Sequence, residues 1–222
     1  MNQETSMKQE TSMKIGIIGA GFVGRAIAKL GISAGHQVML SNSRGVQTLF
    51  SLRPMLGCEI GSVEEAIAFG DMVVIAVPLS AIQQLPAALL AGKAVMDAVN
   101  YYPERDGHIA ELDSHQITTS EMLARQLPQA RITKAFNAIP MTDLEADGLP
   151  AGSAHRRALP LAGDDSTGKQ HVIRLYDQFG FDSVDAGALA EGWRFERGMP
   201  AYCVRMTAAE LRQTLAEAVL PG

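Results

Sequence analysis

The chain has 222 residues, 47% of them hydrophobic and 19% charged, with a formal net charge of −5. This is globular composition with enough apolar material for a sizeable core, in one domain or one large domain with a small C-terminal addition. The acidic balance leaves no electrostatic footprint for nucleic acid or an anionic membrane, so neither is an expected partner.

Two cysteines, Cys58 and Cys203, stand in neither a CxxC nor a metal-ligand spacing. They fit a reducing compartment better than a disulfide scaffold. The polar start, Met1 to Lys8, lacks a signal-peptide core. No later apolar run reaches the ~18 residues that a membrane span needs. A cytoplasmic protein is expected.

Gln3 to Lys8 reads QETSMK, and Gln9 to Lys14 repeats it. Residues 1–12 are read as a polar, disordered leader, because such sequence cannot bury enough to fold. The folded part is expected to start at residue 13. A dinucleotide-binding domain is expected over 13–140, and a C-terminal part over 141–222 that completes the sheet and the substrate cleft.

From Lys14 the chain alternates strand-like and helix-like segments. Lys14–Ile18 is a short apolar strand, Val23–Ala34 a helix closed by Gly35, and His36–Leu40 a second strand. Ser62 and Glu65 form a capping-box pattern that opens a short helix through Ala68. Met72–Val77 is a continuous apolar run, as in a strand buried on both faces. Ala81–Leu90 is helical in pattern, and Lys93–Asp97 is the fourth strand. A helix over Ser120–Leu127 leads to a fifth strand at Arg131–Phe136. Ala158–Ala162, a helix over Thr167–Gln178, and Phe181–Val184 follow. Thr207–Val219 is a terminal helix with a second capping-box pattern, Thr207 and Glu210, and with Leu211, Leu215 and Val219 on one face. The alternation predicts an α/β fold of Rossmann type, a doubly wound parallel sheet with a small C-terminal helical extension.

The chemistry begins at Gly19-Ala20-Gly21-Phe22-Val23-Gly24, a GxGxxG that follows a strand and opens a helix. In that context Gly19 permits the tight turn, Gly21 lets the backbone approach a pyrophosphate, and Gly24 lets the helix pack on the strand. The helix-start N–H groups then face the anion. An NAD site usually carries an acid about 20 residues on. Here the stretch is Ser41-Asn42-Ser43-Arg44-Gly45, with no acid and one arginine. An acid would repel a 2′-phosphate by on the order of 4 kcal/mol at ~4 Å and an effective dielectric of ~20. Its absence and the presence of Arg44 predict NADP(H).

Ligands of open α/β sheets bind beyond the carboxyl ends of the strands. The exits are Ala76-Val77-Pro78-Leu79, Asp97-Ala98-Val99-Asn100-Tyr101-Tyr102 and Phe136-Asn137-Ala138-Ile139-Pro140. Ala76, Val77, Pro78, Ala98, Asn100, Asn137 and Ala138 are therefore candidate cofactor contacts. Tyr101 and Tyr102 are as well explained by strand-end packing as by ligand contact.

These residues resemble the coenzyme F420-dependent NADP reductase family. The likeness runs through the glycine turn, Ser41 to Gly45, Val77-Pro78, Ala135-Phe136-Asn137, Gly163-Asp164-Asp165 and Val184 to Leu189, and covers about residues 13 to 202. The sequence also looks like the cytosolic reductase domains of membrane metalloreductases, which share the AFN and DxGxL stretches. The resemblance implies hydride transfer between NADP(H) and a deazaflavin (coenzyme F420) or flavin ring, with Asn42, Ser43 and Arg44 at the 2′-phosphate. It also implies a homodimer, with C-terminal elements helping to form the second substrate site. Where the family often has a hydroxyl residue inside the turn this chain has Ala20, one phosphate contact fewer.

Hydride transfer between rings needs positioning rather than a side-chain nucleophile, so no catalytic residue is nominated. His36, His108, His115, His155 and His171 form no readable triad, and no metal site is expected. Asp164 and Asp165 read as a turn and helix-start pair. Trp193, Arg194, Phe195, Arg197 and Tyr202 suit an anionic planar substrate or a dimer contact equally. The main reading is an NADPH-dependent reductase of a small hydride acceptor. The rivals are a non-catalytic NADP(H)-sensing module, or a reductase of another small acceptor such as a ferric chelate.

Overall fold

The computed structural model describes residues 12–220. The repeated leader lies outside the described residues, Ser12 excepted. The described chain divides into two compact units between Ala76 and Val77.

The first unit holds four parallel strands: β1 (Lys14–Ile18), β2 (Gln37–Ser41), β3 (Glu59–Gly61) and β4 (Met72–Ile75), in the order β3-β2-β1-β4. Helix α1 (Phe22–Ser33) joins β1 to β2, α2 (Leu52–Leu56) precedes β3, and α3 (Val63–Phe69) joins β3 to β4. Every residue of β4 is buried, as its unbroken apolar run requires. Strand β1 buries Ile15, Ile17 and Ile18, and α1 lays Ala26, Ile27 and Ala28 into the same core. Both halves of the capping box at Ser62 and Glu65 are present.

The second unit holds β5 (Ala94–Asp97), β6 (Arg131–Lys134), β7 (Ala158–Gly163) and β8 (Asp182–Asp185), in that order. Pairings β5–β6 and β7–β8 are parallel, whereas β6–β7 is antiparallel, with Lys134 opposite Ala162. Its helices are α4 (Ala87–Leu90), α5 (Pro103–Asp106), α6 (Ala110–Asp113), α7 (Thr119–Gln126), α8 (Met141–Ala146), α9 (Ser166–Gln178) and α10 (Ala208–Glu217). The terminal helix α10 begins at a complete Thr207–Glu210 capping box and buries Leu211 and Leu215 against Ala158, Val184 and Phe195. Burial of each leucine contributes roughly 1.5–3 kcal/mol.

The architecture is the expected Rossmann-type α/β class, mostly parallel, with a C-terminal helix. Three local readings change. The helix expected over Ala81–Leu90 is a 3-10 turn, Leu79–Gln84, followed by the separate α4. Pro86 lacks an N–H and cannot continue a helix, so the break falls there. Strand β3 has three residues, one of them glycine, too few for an alternation to show. The sheet is not wholly parallel, because the long connection carrying α8 returns β7 against β6 in the opposite sense.

Candidate functional site

The glycine turn follows from local constraints in the first unit. Gly19 sits at φ +117, a region that a side chain rarely adopts. Its N–H donates to the Ser41 carbonyl at 2.9 Å, tying the turn to the end of β2. A Cβ on Gly24 would lie 1.9 Å from the Gly19 carbonyl oxygen, so only glycine lets α1 start this close to the turn. Above Gly21 there is open space: a Cβ there would meet no atom within 4 Å. Gly21 is also the N-cap of α1, and no side chain caps it. The first-turn N–H groups, which have no partner within a helix, therefore point into an open cradle. Ala20 is buried, and Phe22 is 72% exposed at the rim. Arg25, absent from the sequence reading, folds back on the turn and donates from Nε to the Ala20 carbonyl at 2.8 Å.

The loop after β2 is equally ordered. Ser41 is fully buried and donates its hydroxyl to the Ile17 carbonyl at 2.8 Å, so that hydroxyl holds the two strands together. Asn42 accepts from the Arg44 N–H at 3.0 Å and donates to the Thr48 hydroxyl at 2.9 Å. Ser43 and Arg44 are exposed, and the Arg44 guanidinium makes no ion pair among the described residues.

In the second unit the exits of β5 and β6 meet. The Asn100 amide donates to the Asn137 carbonyl at 2.9 Å, and the Asn137 Nδ2 donates to the Phe195 carbonyl at 3.0 Å. The Asn137 Oδ1 is buried and has no partner among the described residues. Phe136 adopts φ +60, a conformation that costs a non-glycine residue about 1–3 kcal/mol. It is held there by Tyr176, whose hydroxyl accepts from the Phe136 N–H at 3.0 Å and donates to the Pro160 carbonyl at 2.9 Å. Burial drives the Tyr176 phenol well above its ordinary value, so it stays a neutral donor. Ala98 and Ala138 are buried beside these exits, Val77 is half-buried and Pro78 is exposed.

A buried charge cluster lies under this region. The Lys134 ammonium, fully buried, donates to the Val99 carbonyl at 2.9 Å and to the Thr119 hydroxyl at 2.8 Å. It stands 3.5 Å from Asp97 and 3.8 Å from Glu196. Asp97, also fully buried, accepts from the Val99 N–H and the Ser120 hydroxyl. Glu196 Oε1 accepts from the Thr119 N–H at 2.8 Å and from the Thr119 hydroxyl. Sequence reading missed Lys134 and Glu196, which stand 62 positions apart (196 − 134).

The aromatic and arginine segment is largely self-paired. Arg194 lies 4.5 Å from the Trp193 ring centre and donates to Glu191 and the Leu215 carbonyl. Arg197 forms a two-pronged pair with Glu104 at 2.6 and 3.0 Å and lies over Tyr102. That pairing holds the Glu104 carboxyl down at about 2. The Tyr102 and Tyr202 hydroxyls are 2.6 Å apart, and burial first, then this bond, pushes the Tyr202 phenol upward. Asp165 caps α9 through the Gly168 N–H, and Asp164 accepts from the Leu189 N–H, so both acids serve local structure. Buried His36 accepts from the Met13 N–H at 3.2 Å. Among the described residues no group of three or more His, Cys, Asp or Glu could hold a metal, and no helix is long and apolar enough to cross a membrane.

A glycine-turned, uncapped helix start on a mostly parallel sheet defines a Rossmann-type fold of the kind that carries dinucleotide-binding turns, and comparison with known proteins finds the chain similar to NADP-dependent oxidoreductases. Residues 14–101 match the family described as NADP oxidoreductase, coenzyme F420-dependent. It is 30% identical over 186 residues to the metalloreductase STEAP3 of Rattus norvegicus, covering 82% of this chain and 36% of that protein. The chain thus spans about a third of that relative's length, and 46% of a second relative matched over 63 residues. Among solved structures, a hypothetical protein from Sinorhizobium meliloti superposes with TM-score 0.77 at 28% identity, covering 91% of this chain and 98% of that one. A protein from Arthrobacter sp. FB24, proposed as an F420-dependent NADP-reductase, gives TM-score 0.67 at 25% identity over 79% of this chain and 85% of that one.

Proposed function

We propose that the chain binds NADP(H) on its glycine turn and passes a hydride between it and a flavin-like or deazaflavin acceptor such as coenzyme F420. One observation carries this: an open, uncapped helix start at Gly21, braced by a Gly19–Gly24 contact too close for any side chain.

The residues present fit the cofactor. The backbone of Gly19, Ala20, Gly21, Phe22, Val23 and Gly24 would hold the diphosphate, with Arg25 adding positive charge beside it. Ser43 and Arg44 would receive the 2′-phosphate. Asn42 would shape that loop, since both ends of its amide are already engaged. Ser41 would tie the loop to β1. Ala76, Val77, Pro78, Ala98, Asn100, Asn137 and Ala138 are the proposed contacts on the nicotinamide side. The cofactor supplies the hydride; the chain binds, orients and excludes water, so no side chain is assigned as acid, base or nucleophile.

The family resemblance supports a homodimer, and the functional division is proposed as a dinucleotide-binding part over 13–140 and a C-terminal part over 141–222. Free Cys58 and Cys203 accord with a reducing cytoplasm. The test is an absorbance assay of reduced-nicotinamide oxidation with coenzyme F420, FMN and ferric chelates in turn. Turnover with the deazaflavin or FMN supports the reading. Turnover with ferric chelates alone would reassign the acceptor. Tight NADPH binding with no oxidation by any acceptor would make the chain a binding module instead.

A further inference from the structure

We propose that a cleft in the second unit, walled by Tyr101, Leu112, Trp193 and Met199, takes the imide edge of a planar ring whose N–H is read by Glu196. This rests on the reading above that the second substrate is a flavin-like or deazaflavin ring, and adds which edge enters and which residue selects it.

The lining combines the flat and apolar side chains of Tyr101, Leu112, Trp193 and Met199 with the Glu196 carboxylate. All of the protein's own donors converge on one of its oxygens: the Thr119 amide, the Thr119 hydroxyl and, at 3.8 Å, the Lys134 ammonium reach Oε1. Oε2 has no partner among the described residues. Glu196 is thus pinned through one oxygen and offers the other as a bare acceptor.

An ionised carboxylate only accepts hydrogen bonds. It therefore favours a ligand that presents an N–H and repels one that presents a carboxylate or phosphate. The surrounding charges do not reverse this. Lys134 is fully buried and shared with Asp97, Arg197 is engaged by both oxygens of Glu104, and His115 is the remaining titratable group of the lining besides Tyr101. The cleft measures about 50 Å³, which suits one ring edge rather than a whole tricyclic system. Flavins and deazaflavins share such an edge, a pyrimidinedione whose N3 carries a hydrogen between two carbonyls. Their phosphorylated tails would stay outside the cleft.

Trp193 is the chain's single tryptophan, so its fluorescence reports the cleft directly and without NADPH. The full-length protein is titrated with lumiflavin and with 3-methyllumiflavin, which lacks the N3 hydrogen. A hydrogen bond to a charged group predicts that lumiflavin binds about 10- to 100-fold more tightly. In Glu196→Gln the amide nitrogen can replace Oε2 with a donor, and discrimination is expected to fall below about 2-fold. Equal binding of both rings, no quenching by either, or full discrimination surviving in Glu196→Gln would overturn the proposal. Should that variant fail to fold, the two ligands on the unaltered protein decide. Preference for the N3–H ring without NADPH oxidation would overturn the reductase reading and leave this site standing. NADPH oxidation by lumiflavin with no N3–H preference would overturn this site alone.

Discussion

Replacing Arg44 with alanine should separate the two nicotinamide cofactors. The side chain is exposed and makes no ion pair among the described residues. The loop is held by other groups: the Asn42 Oδ1 accepts from the Arg44 backbone N–H, the Asn42 Nδ2 donates to the Thr48 hydroxyl, and that hydroxyl donates to the Gly45 carbonyl. Arg44→Ala therefore removes a guanidinium without removing the loop. A charge-assisted hydrogen bond to a 2′-phosphate contributes about 1.5–3 kcal/mol, and exposure draws the figure to the lower end. At about 1.4 kcal/mol per tenfold, NADPH affinity should fall roughly 10- to 30-fold. NADH has no 2′-phosphate, and its affinity should change less than about 2-fold on the same arithmetic. Calorimetric titration of both nucleotides into both proteins is the assay. Repeating it at raised ionic strength should shrink the NADPH difference, because the Debye length falls from about 10 Å at 0.1 M toward 3 Å at 1 M. Equal loss for NADH and NADPH, or no loss for either, would refute the selectivity argument.

Gly24→Ala would place a methyl carbon 1.9 Å from the Gly19 carbonyl, and thermal unfolding with NADPH titration should show a lower Tm and no measurable binding. Lys134→Met leaves Asp97 and Glu196 without their shared cation, so about 3–5 kcal/mol of stability should be lost, a Tm drop of roughly 10 °C. A drop under about 2 °C would show that the cluster is not held by that charge. Thr207→Ala removes the α10 cap, and denaturant unfolding should show about 1 kcal/mol less stability. Glu104 has its folded-state pKa depressed to about 2 by Arg197. Its contribution is therefore present above the ordinary carboxylate value and lost as pH falls through the folded value. Acid unfolding followed by circular dichroism should show a shallower dependence below about pH 4.5 in Glu104→Gln.

Much of the fold could be read from the chain, because the decisive signals are local. The strand Lys14–Ile18, the glycine turn and the helix behind it each depend on residues within a few positions, and so do the capping boxes at Ser62 and Thr207. Pro86 was equally visible, yet the apolar spacing on either side of it mimics one helix, and the ring's veto prevails. The β6–β7 antiparallel pairing depends on the path of a long connection, which periodicity does not encode. Chemistry carried by distant partners was hidden for the same reason. Neither Lys134 nor Glu196 stands in a pattern that marks it in the sequence, and only the fold shares Thr119 between them. Arg25 drew no reading from the sequence, and it is the fold of the turn that brings its Nε to the Ala20 carbonyl. The arginines of 193–202 suited an anionic substrate or a dimer contact equally, and Arg194 and Arg197 already have carboxylates of their own.

Amide hydrogen exchange with and without NADPH tests the account at its centre. The first-turn amides of α1, from Phe22 to Gly24, lie at an uncapped and open helix start, and exchange there should slow when the cofactor's diphosphate is bound, together with exchange at Ser43 and Arg44. NADPH binding that protects other segments and leaves these amides unchanged would contradict it.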